Sequence, residues 1–174
     1  MARRVAELGD AIGRDYDGLE PLLVAPLKSS AVFLADLSRA IRIAHTFDVI
    51  ELAAYAGGTD GGKDGGVRLL KDVDTPLEGR HVLVVEDVVD TGLTLHFLLR
   101  TLALRDPAGL AAATLLDRPY RRLVDDLPIR YVGFTVPDEL FAGYGLGLDE
   151  RWRALPDLRY VIAEELPEAA TDAA

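Results

Sequence analysis

Val82-Leu83-Val84-Val85-Glu86-Asp87-Val88-Val89-Asp90-Thr91-Gly92-Leu93-Thr94 is the stretch whose reading decides the fold. Residues 81–85 form a strongly apolar, β-branched run, fit for the centre of a parallel sheet buried on both faces. A polar loop follows, and residues 93–104 read as a helix, stopped by Pro107 and Gly109. A strand that passes through a loop into a helix puts that loop beyond the carboxyl end of the sheet, where open α/β folds bind ligands. The first turn of the helix offers unsatisfied N–H groups and the positive end of the helix dipole. Gly92 lets the backbone approach an anion closely because no Cβ intervenes, and Thr91 and Thr94 add hydroxyl donors. These features make a phosphate cradle. It is not a P-loop, because the spaced glycines and the lysine are missing. Glu86 and Asp87 come where the strand is expected to end, and Asp90 sits inside the loop. Carboxylates beside a phosphate repel it unless they have another task. Adjacent acids can accept hydrogen bonds from sugar hydroxyls, directly or through a Mg2+ shell. An acid inside the turn can act as a general base.

Outward from this stretch, strands and helices alternate. Residues 3–15 carry Val5, Leu8 and Ile12 at helical spacing. Residues 22–25 form a short buried-strand run. It leads through Pro26-Leu27-Lys28-Ser29-Ser30 into a helix over 31–41, with Ser29 or Ser30 as its N-cap. Residues 47–55 read as a strand. Residues 57–66 hold six glycines in ten positions and read as a mobile loop, and 67–70 as the returning strand. Residues 111–116 and 131–136 are two further strands. The expected fold is α/β: an open, mostly parallel sheet flanked by helices. A single domain should span 1–163, followed by a disordered Ala- and Glu-rich tail over 164–174.

The 174 residues carry a net charge of −10, which argues against a broad nucleic-acid footprint and against an anionic membrane surface. There is no cysteine, so thiolate nucleophiles and thiolate metal sites are excluded. No stretch approaches the roughly 18 apolar residues of a membrane span, and no signal peptide is visible. A cytoplasmic location is expected. His45, His81 and His96 have no partner at metal-ligand spacing, and Trp152 reads as a packing residue.

The thirteen-residue string quoted above resembles the 5-phosphoribosyl-1-diphosphate (PRPP) signature of the type I phosphoribosyltransferases. Within them, the likeness is to the hypoxanthine-guanine phosphoribosyltransferases. It covers roughly residues 3–163. Residues 21–40 resemble the family's first strand and pyrophosphate-loop helix. Residues 67–79, with Lys71-Asp72-Val73-Asp74, resemble the segment after its mobile catalytic loop. Leu115-Leu116-Asp117-Arg118-Pro119, Tyr131-Val132-Gly133-Phe134 and Pro137-Asp138-Glu139 resemble the base-binding half, with a small base-binding hood formed from the chain ends. Asp149-Glu150-Arg151-Trp152-Arg153 resembles the closing pyrophosphate segment.

The resemblance implies transfer of the 5-phosphoribosyl group from PRPP to an oxopurine such as hypoxanthine or guanine. The products would be a nucleoside monophosphate and pyrophosphate, as in purine salvage. Asp90, Thr91, Gly92, Leu93 and Thr94 would hold the 5′-phosphate, and Asp90 would exchange the N7 proton of the base. Glu86 and Asp87 would face the ribose hydroxyls and the associated Mg2+. Lys28, Ser29 and Arg153 would serve the pyrophosphate end, and Arg118, Leu140 and Phe141 the base. The glycine-rich loop, with Tyr55 at its base, would close over the site. The partners implied are PRPP and a nucleobase, and the assembly a homodimer or homotetramer.

Several positions depart from the family pattern. Arg118 stands for a lysine that reads the 6-oxo group, and Leu140 for an aromatic ring, with Phe141 beside it to compensate. Gly147 stands for an aspartate that helps bind a second Mg2+, Ser29 for a glycine, and Ala54 for a serine. These departures motivate two alternatives. One is a transferase for xanthine, a pyrimidine or a specialised heterocycle. The other is a non-catalytic PRPP-binding regulator.

Overall fold

Strand β4 (His81–Val89) runs through the middle of a six-stranded sheet. In chain order the elements are α1 (Ala2–Asp15), β1 (Leu22–Leu27), α2 (Ala31–Ala40), β2 (Thr46–Tyr55), β3 (Gly66–Lys71), β4, α3 (Leu93–Ala103), β5 (Gly109–Asp117), a 3-10 turn (Pro119–Arg121), β6 (Ile129–Thr135), β7 (Phe141–Ala142) and β8 (Arg159–Tyr160). The computed structural model describes residues 1–55, 66–148 and 150–162. Most of the glycine-rich loop, Asp149 and the tail from 163 lie outside the described residues, as do the side chains of Ala54 and Tyr55.

The large sheet has the order β3-β2-β1-β4-β5-β6. All of its pairings are parallel except β2 with β3. The expected mostly parallel α/β architecture is therefore present. Strand side chains alternate between faces, and both faces here are apolar. Leu23, Ala25, Leu83, Val85, Ala113 and Leu115 pack with α1 and α2, through Val5, Leu8, Ile12, Phe33, Leu34 and Leu37. Leu22, Val24, Val82, Val84 and Ala112 pack on the other face with Leu95, Leu98, Leu99 and Leu102 of α3. This double burial is why the strands read as unbroken apolar runs.

Helix α1 lies against α2 and reaches the sheet edge at β6. There Arg4 donates from Nε to the Gly133 carbonyl and from Nη2 to the Val132 carbonyl, both at 2.8 Å. The small sheet of β7 and β8 comes from the C-terminal part of the chain alone.

Three local expectations differ from the structure. Strand β4 does not end at Val85; its ladder with β5 continues to the Val89–Asp117 pair, so Glu86 and Asp87 are strand residues. Ser30 occupies the N-cap position of α2, but its hydroxyl makes no capping bond and turns to Asp87 instead. Helix α3 ends at Ala103, and Gly109 opens β5 rather than stopping the helix.

Candidate active site

A cavity of about 410 Å³ opens at the carboxyl end of β1 and β4. Glu86, Asp87 and the run Asp90, Thr91, Gly92 and Thr94 form one side of it. Pro26, Leu27 and Ser29 form another, with Leu52, Ala53 and Val67 from β2 and β3. This is the place that parallel-sheet topology predicts, where β1 and β4 carry their connections to different helices.

Glu86 and Asp87 are only 5% and 7% exposed. Alternation along β4 sends Asp87 to the α2 face. Ser30, itself fully buried, meets it there: its Oγ donates to Asp87 Oδ1 at 3.2 Å and accepts the Asp87 N–H at 3.2 Å. Burial pushes the Asp87 carboxyl above its ordinary value, and hydrogen bonds from the serines and backbone only partly offset this. Glu86 falls toward the opposite face, and its Oε1 is buried with no hydrogen-bond partner among the described residues. Burial, with the Asp87 charge adding to it, pushes the Glu86 carboxyl well above the usual carboxylate range. A buried acceptor left without a donor calls for a cation or a hydroxyl to meet it. No group of three His, Cys, Asp or Glu side chains that could hold a metal ion occurs among the described residues. Both carboxyls line the cavity, so either could supply a ligand to a Mg2+ that arrives with substrate oxygens.

Gly92 takes the N-cap position of α3 with φ +84, in the left-handed region that favours glycine. A Cβ there would come within 2.7 Å of Leu127 Cδ1 and 3.0 Å of Arg122 Cδ. The space that the glycine saves is thus taken by the 122–127 segment, not left for an anion as the sequence suggested. The first turn of α3 still borders the cavity through Gly92, Thr94 and Leu95, with the Leu93 N–H donating to Thr91 Oγ1 at 3.4 Å.

Asp90 faces two arginines. Arg118 Nη1 lies 3.8 Å from its Oδ2, and Arg121 Nε lies 3.3 Å from its Oδ1. Arg121 also donates to Asp138 at 2.9 Å, so it spans the loops after β4 and β6. Arg118 could have paired with Asp117 or Asp125, but Arg122 takes Asp117 instead. The Arg118 guanidinium stands 5.7 Å from the centre of the Phe141 ring. Phe141 is 8% exposed and packs on Tyr160, whereas Leu140 is 46% exposed. Phe141 is therefore a floor under Arg118 rather than an open aromatic platform. Trp152 is 57% exposed and is not a packing residue.

Lys28 and Arg153 are brought together, although no local pattern links them. Lys28 Nζ donates to Glu150 Oε2 at 2.9 Å, and Arg153 Nη2 donates to Glu150 Oε1 at 2.9 Å. Arg153 Nη1 also donates to the Gly145 carbonyl at 2.9 Å. Gly145, at φ +98, approaches the Ser29 loop so closely that a Cβ would stand 2.2 Å from the Ser29 carbonyl oxygen. At Gly147 a Cβ would meet Arg153 Cζ at 2.7 Å, so the guanidinium fills the space that a side chain there would need. Glu150 was not among the site residues read from the sequence. Its only signal was a position inside the Asp149–Arg153 string.

Comparisons with known proteins identify the family. The family model described as phosphoribosyl transferase domain matches residues 1–149. The hypoxanthine phosphoribosyltransferase of Salmonella typhimurium is 42% identical over 161 residues, covering 91% of this chain and 89% of that protein. The hypoxanthine-guanine phosphoribosyltransferase of Mycobacterium bovis is 43% identical over 164 residues, covering 91% of this chain and 78% of that protein. Among solved structures, the hypoxanthine-guanine phosphoribosyltransferase of Bacillus anthracis superposes with a TM-score of 0.85 at 43% identity, covering 92% of this chain and 91% of that one. The hypoxanthine phosphoribosyltransferase of Trypanosoma cruzi, solved with its product IMP, gives 0.86 at 35% identity, covering 95% and 91%.

Proposed function

This chain belongs to the phosphoribosyltransferase family and is a transferase, and we propose that it moves the 5-phosphoribosyl group from PRPP to a 6-oxopurine, hypoxanthine or guanine, in purine salvage. One observation carries the reading. A buried acidic pair and the open N-terminus of α3 border the same cavity, and a phosphorylated sugar needs both.

In this reading the N–H groups of residues 90–94, with the hydroxyls of Thr91 and Thr94, bind the 5′-phosphate. Glu86 and Asp87 accept from the ribose hydroxyls, and their burial makes them poor hosts for charge until a ligand compensates it. Lys28 and Arg153 bind the pyrophosphate end, with Ser29 shaping the loop between them. Mg2+, held by Glu86 and Asp87 together with substrate oxygens, would neutralise charge on the leaving pyrophosphate. Asp90 takes the proton from the base nitrogen as the new bond to the ribose carbon forms, and the arginines beside it keep its carboxylate oriented. Arg118 and Leu140 border the base, and Phe141 supports Arg118 from below.

The same reading carries a single domain over 1–163, a cytoplasmic location, no nucleic-acid or membrane partner, and a homodimer or homotetramer. No helix among the described residues is long and apolar enough to cross a membrane.

A different acceptor base is the second reading, and Arg118 favours it. A planar guanidinium offers a fork of donors where lysine offers a point charge. That exchange alters how acceptors on the edge of the base are read, and xanthine is one base that tests it.

The experiment is to supply Mg2+, PRPP and a panel of bases and to measure pyrophosphate release. Turnover with hypoxanthine or guanine supports the first reading. Turnover with another base alone supports the second, and no turnover with any base refutes both.

A further inference from the structure

Glu150 occupies the position between the two cations just described. Each of its carboxylate oxygens takes one of them, at 2.9 Å from Lys28 and 2.9 Å from Arg153. Those two cations hold its carboxyl below the usual range, so the bridge is between charged groups. The contact joins residues 122 positions apart, across the gap between the loop after β1 and the C-terminal segment. The turn that presents Glu150 is a tight one. Leu148 and Arg151 exchange backbone hydrogen bonds in both directions, at 3.1 and 2.8 Å. Glu150 itself has φ +62, a left-handed conformation that a residue with a Cβ adopts at a cost. Glycine would suit that backbone better, so a glutamate there points to a task for its side chain. Both Lys28 and Glu150 are 66% exposed at the side chain, so the bridge can open without unpacking anything.

We propose that Glu150 is a built-in competitor for pyrophosphate. Its carboxylate holds Lys28 and Arg153 at the spacing an anion needs, is displaced when the diphosphate of PRPP arrives, and returns to help expel free pyrophosphate. The inference rests on the proposed assignment of Lys28 and Arg153 to the pyrophosphate end. Glu150 touches no reacting atom, so it is a positioning residue. It lowers affinity for the bound anion and shortens its residence. No covalent step is involved: one anion replaces another on the same two cations.

Trp152, the single tryptophan of the chain, is two residues away and exposed, and so provides a local probe. The test is a fluorescence titration of the full chain with inorganic pyrophosphate, with and without Mg2+, followed by stopped-flow measurement of its release. Glu150→Gln should bind pyrophosphate roughly two- to tenfold more tightly, the range set by the loss of two exposed ion pairs, and should release it more slowly. The difference should shrink as salt is raised, because charge competition is screened. A purely structural role would give no such salt dependence. Glu150→Ala should behave like Glu150→Gln, which guards against a fault peculiar to the amide. Lys28→Gln should weaken binding. If Lys28→Gln weakens binding but both Glu150 variants bind equally or less tightly than the parent, the competitor role is wrong and the Lys28 assignment stands. If Lys28→Gln leaves binding unchanged, the pyrophosphate assignment is wrong, and the inference falls with it.

Discussion

Arg121 Nε lies 3.3 Å from Asp90 Oδ1, and the same guanidinium donates to Asp138 at 2.9 Å. One arginine thus ties Asp90, in the loop after β4, to the segment after β6, and the proposed role of Asp90 as base can be tested directly. Replacement of Asp90 by Asn keeps the shape and removes the basicity. Turnover should fall by about two to four orders of magnitude, the usual contribution of general acid–base catalysis. PRPP affinity should change much less. Single-turnover rates beside equilibrium binding of PRPP check this, and an equal loss of both would refute the role as base.

Ser30 acts through Asp87. Ser30→Ala removes a buried hydroxyl that donates to Asp87 Oδ1 and accepts from its N–H. The carboxyl then loses a donor in a site where water does not readily replace it. The expected cost is about 1–3 kcal/mol of folding stability, read by urea denaturation. Ser30→Thr keeps the hydroxyl and should recover part of it. A loss of under about 0.5 kcal/mol, below the usual net worth of one hydrogen bond, would show that Asp87 does not depend on Ser30.

Glu86 sets a pH dependence whose sign follows from burial. Its carboxyl is raised well above the ordinary range in the folded chain. A raised acid stabilises the fold fully below its unfolded pKa of about 4.3, and this contribution is lost as pH rises through the folded value. Glu86→Gln is close in shape to the protonated acid and cannot ionise. Parent and variant should melt together below about pH 4. Above that, the variant should become progressively the more stable in the absence of ligand. A gap in melting temperature that stays constant across this range would contradict the shift.

Gly145 controls how the C-terminal segment seats on the Ser29 loop. A methyl group there would stand 2.2 Å from the Ser29 carbonyl oxygen, at φ +98. Backbone strain of about 1–3 kcal/mol adds to that clash. Gly145→Ala should lower the melting temperature and, by moving Arg153 away from Lys28, weaken pyrophosphate binding. Unchanged affinity in a destabilised variant would separate the two effects and refute the coupling.

Much of this site is legible in the sequence, for definite physical reasons. A parallel strand buried on both faces must be an apolar run, so residues 82–85 announced β4. Gly92 stood out as a residue with no Cβ to bar an anion, whereas the structure uses it for its φ of +84, and the space it saves belongs to Leu127 and Arg122. The true end of β4 was hidden because acids read as strand terminators. Here Glu86 and Asp87 stay in the ladder, and Asp87 gains the Ser30 hydroxyl. Ser30 misled in turn, since a serine before a helix reads as a cap. The Lys28–Glu150 contact had no local trace, because it joins loops that only the finished sheet brings together, whereas Glu150 and Arg153 pair within one segment.

Arg4 has a consequence for how the chain acquires its shape during synthesis. Its carbonyl acceptors at Val132 and Gly133 follow 128 and 129 positions later. At about 5–20 residues per second, a ribosome takes roughly 6–26 seconds to make that interval. The first helix to emerge is therefore among the last to be locked, and waits for the edge strand that closes the sheet. Ribosome-bound chains that stop short of Ile129 should leave Met1–Asp15 open to protease, and chains that extend well beyond Thr135 should protect it. Protection already complete in the shorter chains would mean that α2 alone secures the helix.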